Sequence, residues 1–176
     1  MSEYVILAGS LNPSSRSALL ALRLQQEYAQ LGVKAELLDL RKHALPLCDG
    51  EAAYGHPEVA RIDATLQAAR VIIVATPVYN FDANAAVKNV IELTGNAWED
   101  KVVGFVCAAG GDASYMSIMS LANSLMLDFR CLIIPRFVYA TRTHFSDTAV
   151  TSPEIIQRLQ RLAQASLTIH NAQPPR

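Results

Sequence analysis

Residues 71–81 read Val71-Ile72-Ile73-Val74-Ala75-Thr76-Pro77-Val78-Tyr79-Asn80-Phe81, and the first five decide the fold class. A continuous, β-branched apolar run without alternation predicts a strand buried on both faces, the kind that lies inside a parallel sheet covered by helices. The neighbouring stretches agree. Glu58 to Ala69 before the run and Asn84 to Leu93 after it both carry helical patterns. Further out, Tyr4 to Ala8 reads as a first buried strand ending at Gly9-Ser10. Ser17 to Leu31 places Leu19, Leu20, Leu22, Leu24, Tyr28 and Leu31 at helical spacing before Gly32 stops it. Val33 to Leu40 alternates weakly as a second strand, and a loop with Pro46, Asp49, Gly50, Gly55 and Pro57 follows.

Towards the C-terminus, Val102 to Ala108 predicts a fourth strand and Ser114 to Leu127 a helix. Cys131 to Ile134 opens a fifth strand with room to continue past Pro135. Ser152, with Pro153 in the first helical position and Glu154 after it, opens the last helix. Asn171 to Arg176, with two prolines, is expected to be a loose tail after a single domain spanning 1–170. Strand followed by helix, five times over, implies right-handed crossovers and an α/β sandwich with helices on both faces of a five-stranded parallel sheet. Ligands of such sheets bind beyond the carboxyl ends of the strands. That rule selects the loops 9–17, 76–83 and 108–113.

Composition narrows the partners. Of 176 residues, 51% are apolar and 18% charged, which describes a core-rich chain, and the net charge of −1 gives no field to attract nucleic acid or an acidic membrane. No apolar run approaches the roughly twenty residues that span a bilayer. Met1-Ser2-Glu3 leads straight into a strand without a basic segment, so no signal peptide is expected. Cys48, Cys107 and Cys131 form no CxxC and cannot all pair, which fits reduced thiols and a cytoplasmic location.

The first loop is Gly9-Ser10-Leu11-Asn12-Pro13-Ser14-Ser15-Arg16-Ser17. It lacks the three glycines of a dinucleotide fingerprint and the Gly-Lys-Ser/Thr of a P-loop. Four serines, an asparagine and an arginine at a strand-to-helix turn instead offer hydroxyls, backbone amides and one cation where a helix N-terminus favours negative charge. A single capping serine would do less, but this cluster suits one phosphate. In the second loop Pro77 stiffens the backbone and holds Thr76 extended, while Tyr79 and Phe81 offer flat apolar surface. Taken alone, it reads as an ordinary turn whose aromatics fill the neighbouring core. The third loop, Ala108-Ala109-Gly110-Gly111-Asp112, either lets a ligand approach the backbone or simply ends a strand. His43, His56, His144 and His170 are scattered without metal-ligand spacing, and no Ser-His-Asp order or carboxylate pair calls for acid–base chemistry.

The phrases "ATPVYNFDANAAVKNVIEL" and "KVVGFVCAAGG", set behind the serine-rich loop, resemble the NAD(P)H-dependent FMN reductases, including flavin reductases of the alkanesulfonate system and quinone and chromate reductases. The resemblance covers about residues 4 to 140. It implies a flavodoxin-like three-layer sandwich with strand order 2-1-3-4-5, FMN as cofactor, NAD(P)H as hydride donor and a small-molecule electron acceptor. It also implies a homodimer or homotetramer. Carried over by position, Ser10, Ser15 and Ser17 match the phosphate-loop hydroxyls, with Arg16 beside them and Asn12 where an arginine is common. Pro77, Val78, Tyr79 and Asn80 match the loop along the flavin ring, and Gly110 and Gly111 match the loop at its polar edge. Val78 stands where much of the family has glutamate, and Phe81-Asp82-Ala83-Asn84 replaces a small, glycine-containing stretch. Lys88 and Asn89 match a Lys-Asn pair of structural rather than catalytic character. No catalytic side chain is expected, because the flavin carries the chemistry and the protein supplies position. A flavodoxin-type electron carrier shares fold and cofactor, but its threonine-rich phosphate loop and strong negative charge are missing. A flavin-binding protein without turnover is the third reading.

Overall fold

The computed structural model describes residues 2–172. In chain order the elements are β1 (Tyr4–Ala8), α1 (Arg16–Gln30), β2 (Ala35–Asp39), α2 (Pro57–Ala68), β3 (Val71–Tyr79), β4 (Asp82–Ala83), α3 (Ala85–Thr94), β5 (Val102–Ala108), α4 (Met119–Phe129), β6 (Leu132–Ile133), β7 (Val138–Ala140) and α5 (Pro153–Ala172). The sheet runs β2-β1-β3-β5-β6, with β7 also on β5, and every pairing is parallel except the hairpin of β3 with β4.

The strand count differs from the expected five for two local reasons. Pro135 has no N–H to give to a ladder, so the fifth strand is interrupted and docks on β5 as two pieces: β6 opposite Val102 and Val103, and β7 opposite Val106 to Ala108. The other addition, β4, is the return arm of a tight hairpin within the second loop. Helix α4 also starts later than its pattern predicts. Residues 112–114 form a 3-10 turn, and the helix proper begins at Met119. Asn171 and Ala172, expected in the tail, complete α5. Gln173 to Arg176 lie outside the described residues.

Alternation along the central strands divides the core. Ile72 and Val74 of β3, with Val5, Leu7, Val103 and Phe105, face Ile62 and Leu66 of α2, Val87 and Val90 of α3 and Leu125 of α4. Val71, Ile73 and Ala75, with Ile6 and Val106, face Leu20 and Leu24 of α1 and Leu159 and Leu162 of α5. The strands are therefore buried on both sides, as the unbroken β-branched run requires. No helix among the described residues is long and apolar enough to cross a membrane.

Candidate functional site

Parallel register sets the three selected loops side by side. Ala8 is level with Ala75, and Ala75 with Val106, so β1, β3 and β5 deliver their following loops to one edge of the sheet. Gly9 makes the first exit possible. Its amide donates to the Ala75 carbonyl (2.8 Å), and a Cβ there would sit 2.1 Å from Val87 Cγ2 on α3. Asn84, buried just before α3, ties two loops together. Its amide nitrogen Nδ2 donates to the Gly9 carbonyl (2.7 Å), and its Oδ1 lies 3.0 Å from the Thr76 hydroxyl. Thr76 in turn accepts from the Asn84 backbone (3.3 Å).

The first loop is built from short polar turns. Ser10 Oγ accepts from the Asn12 amide (3.2 Å), and Asn12 Oδ1 accepts from the Ser14 amide (2.9 Å). Ser15 caps α1 by accepting from the Ala18 amide (3.1 Å), and its hydroxyl is 3.0 Å from that of Ser17. Accepting from Asn12 leaves the Ser10 hydroxyl proton free to donate outward, and one proton of the Ser15–Ser17 pair is free in the same way. The amides of Ser15, Arg16 and Ser17 precede any possible intrahelical carbonyl partner, so they open on the loop. No acidic side chain stands in the first turn of α1 to oppose an anion. Arg16 is exposed beside them.

In the second loop, Val78 pairs with Ala83 and Tyr79 with Asp82, leaving Asn80 and Phe81 as a two-residue turn. Both have left-handed backbone, φ 51° and 64°. Tight hairpins ask for this conformation at both turn positions, and Asn-Gly meets it with least strain. Asn80 follows that rule and Phe81 departs from it. The ordinary-turn reading, with aromatics filling the core, does not hold: Tyr79 is 53% and Phe81 55% exposed.

The two glycines of the third loop have no role that their own chain explains. A Cβ on Gly110 or Gly111 would meet nothing within 4 Å, and neither has left-handed backbone. Contrast Gly9, where sterics demand glycine, and Gly32, where φ of 74° does. Space above an unhindered glycine is space in which another molecule can reach the backbone. The loop is nonetheless held, because the buried Tyr139 hydroxyl of β7 donates to the Gly111 carbonyl (2.5 Å) while its ring packs on Tyr115.

These three loops enclose one open cleft of about 350 Å³, within the usual size of small-molecule sites. Ser10, Asn12, Ser15, Arg16, Ser17, Pro77, Val78, Tyr79 and Gly110 line it, joined by Ser14, Ala108 and Ala109. Asn80 and Gly111 stand next to lining residues without lining the cleft themselves. Hydroxyls and helix amides thus gather where α1 begins, and apolar surface and the bare Gly110 backbone lie along β3 and β5.

A sequence model described as NADPH-dependent FMN reductase matches residues 3–145. The chain belongs to that family. This FMN reductase is 30% identical to the NADH-dependent FMN reductase SfnF of Pseudomonas fluorescens over 167 residues, 92% of this chain and 88% of the relative. It is 28% identical over 141 residues to an NAD(P)H-dependent FAD/FMN reductase of Geobacillus thermodenitrificans, 78% of this chain and 76% of the relative. Among solved structures, the NAD(P)H:acceptor oxidoreductase FerB of Paracoccus denitrificans superposes with TM-score 0.78 at 20% identity, over 97% of this chain and 98% of that one. That likeness concerns the fold. As a family member the FMN reductase is an oxidoreductase that works with FMN, with NAD(P)H as donor.

The cleft fits that cofactor on its own chemistry: phosphate-seeking donors at one end, and at the other a glycine cradle that a side chain would fill. Thr76 and Asn84 fall inside a family-like phrase, but nothing in it tells that they bond each other or that Asn84 reaches Gly9. Tyr139, which holds the third loop, lies outside the quoted phrases. Asn89 of the Lys-Asn pair is structural, bonding Cys48 N (2.8 Å) and the Pro46 carbonyl (2.9 Å), while Lys88 forms an exposed ion pair with Glu92. His43 pairs with Glu58 (2.9 Å), and His56 caps α2 through the Glu58 amide. Burial pushes the Cys107 thiol up to about 12, so it stays protonated at neutral pH.

Proposed function

We propose that the cleft at the carboxyl edge of the sheet is the FMN site of this reductase and that its electrons pass to a flavin, a quinone or a similar small acceptor. The convergence of the three loops on one cleft, hydroxyls and helix amides at one end and bare Gly110 backbone at the other, carries the reading. Ser10, Ser15 and Ser17, with the Arg16 and Ser17 amides, hold the phosphate, aided by Asn12 and the Arg16 side chain. Pro77, Val78 and Tyr79, with Asn80 at the turn, form a wall beside the ring, and Gly110 and Gly111 receive its polar edge. When bound, FMN takes hydride from the nicotinamide and gives it up to the acceptor. The chain contributes position and one covered face, so donor and acceptor use the remaining face in turn.

The assembly is a homodimer or a pair of such dimers. Ile118, Leu121 and Leu125 of the α4 region are buried in the core, while Tyr115, Met116, Met119, Met126 and Leu127 stay exposed on the other side. That second apolar face is more than a solvated helix needs. The chain forms a single domain that runs at least to the end of α5 at Ala172, part of a cytoplasmic enzyme in keeping with its three free cysteines.

The full chain loaded with FMN tests this. Mixed anaerobically with NADH or NADPH, it should lose its flavin colour, and a quinone or free flavin should restore it. Double-reciprocal plots should be parallel, and light scattering should give a multiple of the chain mass. Failure of both nicotinamides to reduce the bound flavin would overturn the reading.

A further inference from the structure

The tip of the first loop, residues 11–14, stands off the sheet edge, and its internal bonds reach only Ser10 and itself. Among the described residues, one hydrogen bond from elsewhere in the fold fastens it: Arg41 Nη1 donates to the Pro13 carbonyl (3.2 Å), across 28 residues of chain. The Leu11 side chain, 61% exposed, adds little grip.

Arg41 is held in that posture by design of the residues before it. Asp39 ends β2 and is 5% exposed. Its carboxylate accepts from Arg41 at three atoms: the backbone amide (3.1 Å), Nε (2.9 and 3.2 Å) and Nη2 (2.7 Å). A fork gripped on one edge fixes the plane of the guanidinium, so Nη1 is aimed at the loop without further ordering. The carboxylate also neutralises the charge. The pair is therefore unsuited to bind an anion itself, and its use lies in where it holds Pro13.

We propose that Arg41, oriented by Asp39, is the positioning residue of the phosphate loop, fixing Asn12 and Ser14 at the cleft so that the phosphate meets a preformed cradle. This rests on the reading of the cleft as the FMN site. A flavin without a phosphate gains nothing from the loop tip, so the strap should matter for FMN and not for riboflavin.

Titration of the flavin-free full chain with FMN and with riboflavin tests both layers. The parent should prefer FMN; a parent that binds the two alike sinks the site reading and this inference with it. In Arg41→Ala, FMN should bind about tenfold more weakly, the scale of one lost hydrogen bond from a charged donor, while riboflavin stays within about twofold. Arg41→Lys keeps an ion pair with Asp39 but cannot bridge to Pro13 as well, so it should fail to restore FMN affinity while melting near the parent temperature. It carries the test if Arg41→Ala does not fold. Hydrogen exchange in residues 10–15 of the flavin-free variants should quicken while the strands of the sheet keep their protection. Parent-like FMN binding in both variants, or an equal fall for FMN and riboflavin, overturns the proposal.

Discussion

Gly110→Ala separates what the chain needs from what a ligand needs. Within the chain the methyl group meets nothing within 4 Å, and the backbone does not lie in the left-handed region. Removing glycine's freedom from the unfolded state then stabilises by about 0.4–1 kcal/mol. At the cleft the sign reverses. Gly110 lines it, and a methyl forced into a filled space costs about 1–3 kcal/mol, or about five- to 150-fold in affinity. The variant should therefore melt at or slightly above the parent temperature when flavin-free, yet bind FMN more weakly by calorimetry. Gly111→Ala adds the same atom beside the lining rather than in it, so its loss of affinity should be smaller than that of Gly110→Ala. Two results would refute the reasoning. Parent-like affinity in Gly110→Ala means no ligand approaches that backbone. A lower melting temperature without flavin means the chain itself requires the glycine.

Two further outcomes follow from local physics. Phe81→Gly should relieve left-handed strain of about 1–2 kcal/mol, partly offset by about 0.4–1 kcal/mol of unfolded-state freedom; little packing is lost, because the ring is over half exposed. A rise of about 2–4 °C in melting temperature is expected for a net gain near 1 kcal/mol, and a fall would show that the ring is held by contacts that outweigh the strain. The second outcome concerns pH: the side-chain hydrogen bonds of Arg41 hold the Asp39 carboxyl below the usual carboxylate range. A depressed folded pKa contributes stability that is full above the unfolded value of about 3.9 and lost as pH falls through the folded value. The stability lost in Arg41→Ala, followed by urea unfolding, should be constant near neutrality and shrink below about pH 4; a difference that ignores pH would refute the coupling.

Much of the fold was legible because its signals are local. The run Val71 to Ala75 announces a strand buried on both faces, and five strand–helix alternations leave few topologies. The places where the reading slipped are also local in cause. Pro135 interrupts a ladder, Asn80-Phe81 closes a hairpin without the glycine that would have flagged it, and the apolar residues before Met119 look helical while forming turns. The cleft residues were legible for another reason: they sit where strands end, and the parallel register carries those ends to one edge.

What no local pattern reveals is how that edge is held still. Asn84 reaches Gly9 across 75 residues, Arg41 reaches Pro13 across 28, and Tyr139 reaches Gly111 across 28. Each strap is one hydrogen bond from a residue whose neighbours in sequence say nothing of its partner. Together they give the first and third loops a tie to another element, and Asn84 joins the first loop to the second through Thr76. The cleft they frame has no carboxylate among its lining residues and no histidine, and its one ionised side chain is Arg16. Among the lining residues Tyr79 alone offers a side chain of the usual proton-transferring kinds, and the proposed task of holding a flavin ring and its phosphate in place calls on the tied loops that this edge supplies.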